Sequence, residues 1–145
     1  MQDRKLLKRY LAQYYHAKER KSTLEARSRT LRRELQPAKK TPDLEAKISE
    51  IDARVQRQKE IETSTILEVM DMIDFLPIGS TERHILELRH IDCKSWSDIE
   101  RIAHFSRSSC FEYYDKALDT LLTYKRARQM LARFQARIAR LEKDG

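Results

Sequence analysis

From Asp3 to Leu35 the apolar side chains Leu7, Tyr10, Tyr14, Ala17, Leu24, Leu31 and Leu35 recur every three or four residues, with no Gly or Pro between them. That period is one face of an α-helix, and it predicts a single long helix with a coiled-coil-like seam. Lys21 and Ser28 fill two seam positions. Polar interruptions of this kind favour one register at some cost in stability. Pro37 ends the pattern, and 38–41 reads as a short connection. Thr41 then caps a second helix, with Pro42 at its first position and Glu45 near its positive end. Leu44, Ile48, Ile51, Val55, Gln58, Glu62, Ile66, Val69 and Ile73 repeat the same spacing. Two helices of about 33–35 residues, each roughly 50 Å long, joined by a short loop, predict an antiparallel helical hairpin over residues 1–76.

Phe75, Leu76, Pro77, Ile78 and Gly79 break the second helix and read as a packed apolar hinge. Beyond it the pattern shortens. Thr81 to Ile91 carries Ile85, Leu86 and Leu88 on one stripe, and Asp92, Cys93 and Lys94 interrupt it. Ser95 opens the next helix with Asp98 at capping-box spacing, and Trp96, Ile99, Ile102 and Ala103 form its inner face. After His104 and Phe105, Ser106 caps a third helix. Its inner face is Cys110, Tyr113 or Tyr114, Ala117, Leu118 and Leu121. Two helices joined by a tight turn, the second entered through a Ser cap, form the helix-turn-helix arrangement, here over 80–123. A small helical core with no nucleic-acid role produces the same pattern. Tyr124, Ala127, Leu131, Phe134, Ile138 and Leu141 extend the stripe, so the third helix is expected to run on into a long C-terminal helix over 124–145. The small module cannot cover that stripe. It should pack on the acidic second helix or on another copy of the chain, which implies a homo-oligomer, a dimer or higher.

The stretch TERHILELRHIDCKSWSDIERIAHFSRSSCFEYYDKAL resembles the fourth region of bacterial sigma factors. That region has an apolar-Leu-Arg-aromatic first helix, a Ser-aromatic-x-x-Ile second helix and a Ser-capped recognition helix ending in Ala-Leu. The Ser95-Trp96 pair and the chain length are more similar to the phage and prophage late-gene activators of the RinA and ArpU type, which carry a sigma-like module. The resemblance covers about 43 of the 145 residues. It departs from the pattern at Glu100, where the family usually has Ala. It also departs at Cys93 and His104, turn positions often held by Gly, which takes a positive φ without steric cost.

Composition sharpens the class. With 2 Gly, 3 Pro, 37% charged residues and no alternating β-type runs, the chain should be all-α. No run approaches the length of a membrane span, and MQDRKLLKRY holds no apolar core of signal length. Cys93 and Cys110 then read as reduced thiols in a cytoplasm, which the resemblance to phage activators implies is that of a bacterial host. The net charge of +7 suggests an anionic partner, but it is unevenly spread. Residues 1–40 hold 13 Lys/Arg against 4 Asp/Glu, 41–79 hold 4 against 9, 80–123 hold 6 against 8, and 124–145 hold 7 against 2. The helix-turn-helix stretch is therefore slightly acidic between two basic segments. A Lys/Arg run on a long helix is more often a solvated surface than a DNA-contacting face.

Site chemistry narrows the function. Cys93 and Cys110 with His16, His84, His90 and His104 have no zinc-ligand spacing, and no phosphate loop or catalytic motif occurs. The chain is expected to be no enzyme and to carry no metal or cofactor. The outward face of the third helix should be Arg107, Ser108, Phe111, Glu112 and Asp115, with Ser109 and Lys116 at its edges. The sigma resemblance implies base contacts from Arg107, Ser108, Phe111 and Glu112. Arg107 suits guanine O6/N7, Glu112 the cytosine amine, and Phe111 a thymine methyl. Lys94, Ser95, Ser106, Ser109 and Lys116 are the candidates for the DNA backbone. Trp96 and Tyr114 read as core. The resulting expectation is a sequence-specific activator of phage late genes that binds double-stranded promoter DNA through Ser106–Leu122. The alternatives are a sigma mimic that contacts RNA polymerase or another regulator, and a phage small terminase subunit.

Overall fold

The computed structural model of the chain describes residues 2–35 and 41–144. It is all-α, with no strand among the described residues. The helices are α1 (Gln2–Leu11), α2 (Gln13–Leu35), α3 (Pro42–Ile73), α4 (Thr81–Leu86), α5 (Trp96–Ala103), α6 (Arg107–Leu121) and α7 (Lys125–Asp144). A π-helical turn, Glu87–Ile91, continues α4. Among the described residues no helix is long and apolar enough to cross a membrane.

The single helix expected over Asp3–Leu35 is two, divided at Ala12. No Gly or Pro causes the break. The Gln13 side-chain amide donates to the Tyr10 carbonyl at 2.9 Å, beside the break. Ala12 still donates to the Lys8 carbonyl and accepts from the His16 amide, so α1 passes into α2 without a loop. The division separates two packing tasks. Helix α1 buries Leu7, Tyr10 and Leu11 against α6, α7 and the end of α3, whereas α2 faces α3 alone along most of its length.

Helices α2 and α3 run antiparallel, because their paired residues count in opposite directions: Arg32 with Asp52, Lys21 with Glu62, and Ala17 with Gln58. Thr41 caps α3 by accepting from the Leu44 amide at 3.2 Å, as its place before Pro42 implied. The connection expected around Pro37 lies outside the described residues. The seam positions of α3 are half-buried from Leu44 to Ile66, except for the buried Gln58, and fully enclosed at Val69 and Ile73, where α1 and the π turn close over them. Three polar seam positions find partners inside the contact. Gln58, 8% exposed, donates to the Ala17 carbonyl at 3.4 Å, and Lys21 Nζ meets Glu62 Oε2 at 2.7 Å.

The hinge is packed only in part. Leu76 is buried and Phe75 stacks on Tyr124 at 5.7 Å, but Ile78 is 90% exposed. Gly79 takes φ +85°, and this left-handed residue turns the chain into the Ser80 cap of α4. Arg83 fastens the corner, donating to the Leu76 carbonyl at 3.0 Å and to Asp74 Oδ1 at 2.8 Å.

The expected run of the third helix into the C-terminal one is also corrected. Helix α6 stops at Leu121, Thr123 Oγ1 donates to the Thr120 carbonyl at 2.6 Å, and α7 starts afresh at Lys125. The break lets α7 fold back. Its stripe is covered within the chain as far as Phe134: Ala127, Leu131 and Phe134 are buried, and Tyr10 meets Phe134 edge-on at 5.2 Å. Arg137 adds a two-pronged ion pair to Glu68 of α3, at 3.1 and 3.2 Å. Helix α1, rather than α3 alone, supplies the cover. The buried side chains from Leu7 to Phe134 form one continuous cluster that includes α4, the π turn, α5 and α6.

Candidate nucleic-acid interface

Helices α5 and α6 owe their geometry to two serine caps and two left-handed residues. Ser95 and Ser106, both in extended conformation, accept from the Asp98 and Ser109 amides at 3.2 Å. Each cap satisfies an amide that would otherwise lack a partner at the start of a helix. Cys93 (φ 55°) and His104 (φ 60°) adopt the conformation that glycine favours, at the two positions where the sigma pattern often places one. The backbone of α5 closes onto this turn, with the Phe105 amide donating to the Glu100 carbonyl at 3.3 Å.

The inner face of α6 is Cys110, Tyr114, Ala117, Leu118 and Leu121, so Tyr114 and not Tyr113 is the buried tyrosine. Tyr114 OH and His90 Nε2 share a hydrogen bond of 2.9 Å, and Trp96 packs edge-on against Tyr114 at 5.2 Å. Burial, aided by the Arg89 charge, pushes the His90 imidazole down to about 3, so it is neutral at ordinary pH. Burial raises the Tyr114 hydroxyl to about 12. On α5, Ile99 is fully buried, but Ile102 is 39% exposed and does not join the inner face as its spacing suggested.

The outward strip of α6 brings Arg107, Ser108, Phe111 and Glu112 together at the surface. Phe111 is 42% exposed and rests edge-on against Trp96 at 4.8 Å. Arg107 is exposed but not loose. Its Nε and Nη2 donate to Glu100 Oε2 at 3.2 and 3.0 Å, and Nη2 also donates to Ser97 Oγ at 2.9 Å. Of the backbone candidates, Lys94, Ser95 and Ser106 are exposed beside the two turns, and Ser109 is half-buried. The Ser106 and Ser109 hydroxyls bond each other at 3.1 Å. Lys116 is held by Glu82 at 3.3 Å.

Farther along α6 the acidic residues are neutralised from a distance in sequence. Arg4 of α1 bonds Asp119 through Nε at 2.7 Å and lies 3.9 Å from Asp115, which is half-buried rather than freely outward. The Arg4 guanidinium holds the Asp119 carboxyl below the usual carboxylate range. Sequence reasoning missed this contact and two others: the Arg107–Glu100 pair and Arg89, whose guanidinium lies 5.0 Å from the Trp96 ring and donates to the Lys94 carbonyl at 2.9 Å. Glu100 was visible as a departure from the sigma pattern, and that departure was the one available signal for its ion pair.

What the arrangement offers chemically is a strip with one cation, one carboxylate, a hydroxyl and an exposed aromatic ring. It stands at the start of a capped helix and is buttressed by a second. Among the described residues no group of three or more His, Cys, Asp or Glu side chains is placed to hold a metal ion. No protein-family model, no curated protein and no solved structure matches this chain.

Proposed function

We propose that this chain is a sequence-specific DNA-binding transcription regulator of the phage late-gene activator type. In this reading α2 and α3 form a helical hairpin, α5 and α6 form a sigma-like helix-turn-helix, and α6 enters the major groove of promoter DNA. The observation that carries it is the outward strip Arg107, Ser108, Phe111 and Glu112 on the first turns of a Ser-capped helix, which is where such a helix meets base edges. Lys94, Ser95, Ser106, Ser109 and Lys116 then flank the duplex backbone, and the basic segments at either end add salt-dependent attraction. The reading includes a homo-oligomer and contact with RNA polymerase at the promoter. Replacing Arg107 with Ala should weaken binding to a selected duplex by about 1 kcal/mol, the worth of a single hydrogen bond, and level out a shallow preference at one base pair. Equal titration curves for variant and wild type in a gel shift would rule out that role.

One observation favours a second reading, a sigma mimic that works by protein contact. Arg107, Lys116 and Arg4 are each paired with a carboxylate, so little free positive charge remains along α6. Capture of RNA polymerase by the purified chain, with no duplex binding at low salt, would decide for it.

A further inference from the structure

The α5 side chains under Arg107 limit what that arginine can read. A guanidinium has five N–H groups, one on Nε and two on each Nη. In this chain Nε and Nη2 both donate to Glu100 Oε2, and Nη2 donates as well to Ser97 Oγ. Both Nη2 hydrogens are therefore in use, and among the described residues no hydrogen bond engages Nη1. Recognition of guanine through O6 and N7 needs two nitrogens side by side. The guanidinium has two such edges, Nε with Nη2 and Nη1 with Nη2. Nη2 belongs to both, so holding it closes both forks at once.

We infer that Glu100, assisted by Ser97, is a specificity-setting residue that restricts Arg107 to a single-nitrogen contact through Nη1. The inference rests on the DNA-binding reading above. One donor nitrogen finds an acceptor on several bases, so wild-type discrimination at that base pair is shallow. The Glu100 carboxylate also brings a negative charge toward the phosphates and lowers affinity at every sequence. Glu100 acts through Arg107 without touching DNA.

The test uses the full chain as wild type, Glu100→Ala, Glu100→Gln and Arg107→Ala. Each is offered a randomised duplex pool, then titrated on the selected duplex and its single-base-pair variants. Glu100→Ala should gain a preference for guanine at one base pair by about tenfold over wild type, because the fork is freed. Glu100→Gln keeps an acceptor oxygen without the charge. It should tighten binding to all duplexes at low salt without sharpening that base pair. In solution, the Arg107 Nε–H signal should be protected from exchange in wild type and exposed in Glu100→Ala, at unchanged melting temperature. The inference is overturned if Glu100→Ala keeps or loses the wild-type preference while Arg107→Ala still weakens binding. That result leaves the DNA-binding reading standing. A wild-type chain that binds no duplex at any salt overturns both.

Discussion

His90 shows how one residue ties the candidate site to solution conditions. It is buried, its ring nitrogen is engaged by Tyr114 OH, and its imidazole is held near 3 against an ordinary 6.5. The folded chain therefore resists a proton that the unfolded chain accepts. Stability from this group is fully present above about pH 6.5 and is lost progressively as pH falls toward 3. By pH 5 the loss should be about 2 kcal/mol, visible as a lower urea midpoint than at pH 7. His90→Gln, which keeps a hydrogen-bonding amide but cannot titrate, should flatten that dependence. An unchanged slope in the variant would place the acid sensitivity elsewhere. His104 makes a different residue-scale point. Its left-handed backbone costs an L-residue about 1–2 kcal/mol that glycine does not incur, against about 0.5–1 kcal/mol of extra chain entropy for glycine. His104 is exposed and loses no packing, so His104→Gly should raise stability by about 0.5–1 kcal/mol in chemical denaturation.

At the scale of elements, local signals were legible and tertiary ones were not. Thr41, Ser95 and Ser106 read as caps from side-chain chemistry, and each accepts from the amide three residues on. The seam of α2 and α3 was readable because burial repeats with the turn of the helix. The breaks at Ala12 and at 122–124 carry no Gly or Pro. At the first, the Gln13 side chain bonds the Tyr10 carbonyl, and beyond the second α7 folds back so that Phe134 reaches Tyr10. Neither a side-chain bond to a nearby carbonyl nor a contact remote along the chain is encoded by a periodic pattern of apolar positions. The same limit applies to the site. The outward strip of α6 followed from its period, whereas the Arg107–Glu100 and Arg4–Asp119 pairs depend on how helices cross. Tyr113 and Tyr114 could not be separated by spacing alone, and the placement of Trp96 and His90 decided between them.

For the whole molecule, the decisive fact is that the site shares its interior with everything else. Phe134 is 5% exposed at the junction of α7 with α1, and both belong to the cluster that contains Leu118 and Leu121 of α6. Phe134→Ala should cost about 3–5 kcal/mol, with helix content and the tertiary environment of Trp96 lost together in a single thermal transition. Separate transitions for the two signals would show that α7 melts on its own. The polar positions inside the α2–α3 contact bear on register more than on strength. Sliding α2 along α3 by one turn would separate Lys21 from Glu62 and Gln58 from the Ala17 carbonyl, leaving polar groups in the seam without their partners.

The edge-on meeting of Tyr10 with Phe134 bears on how the chain is made. A ribosome releases Tyr10 long before the segment that encloses it, so Leu7, Tyr10 and Leu11 stay wet through most of synthesis. Nascent α2 and α3 can zip early, because their partners are close in sequence. The common interior behind α6 is complete only when the last helix emerges and returns to the first.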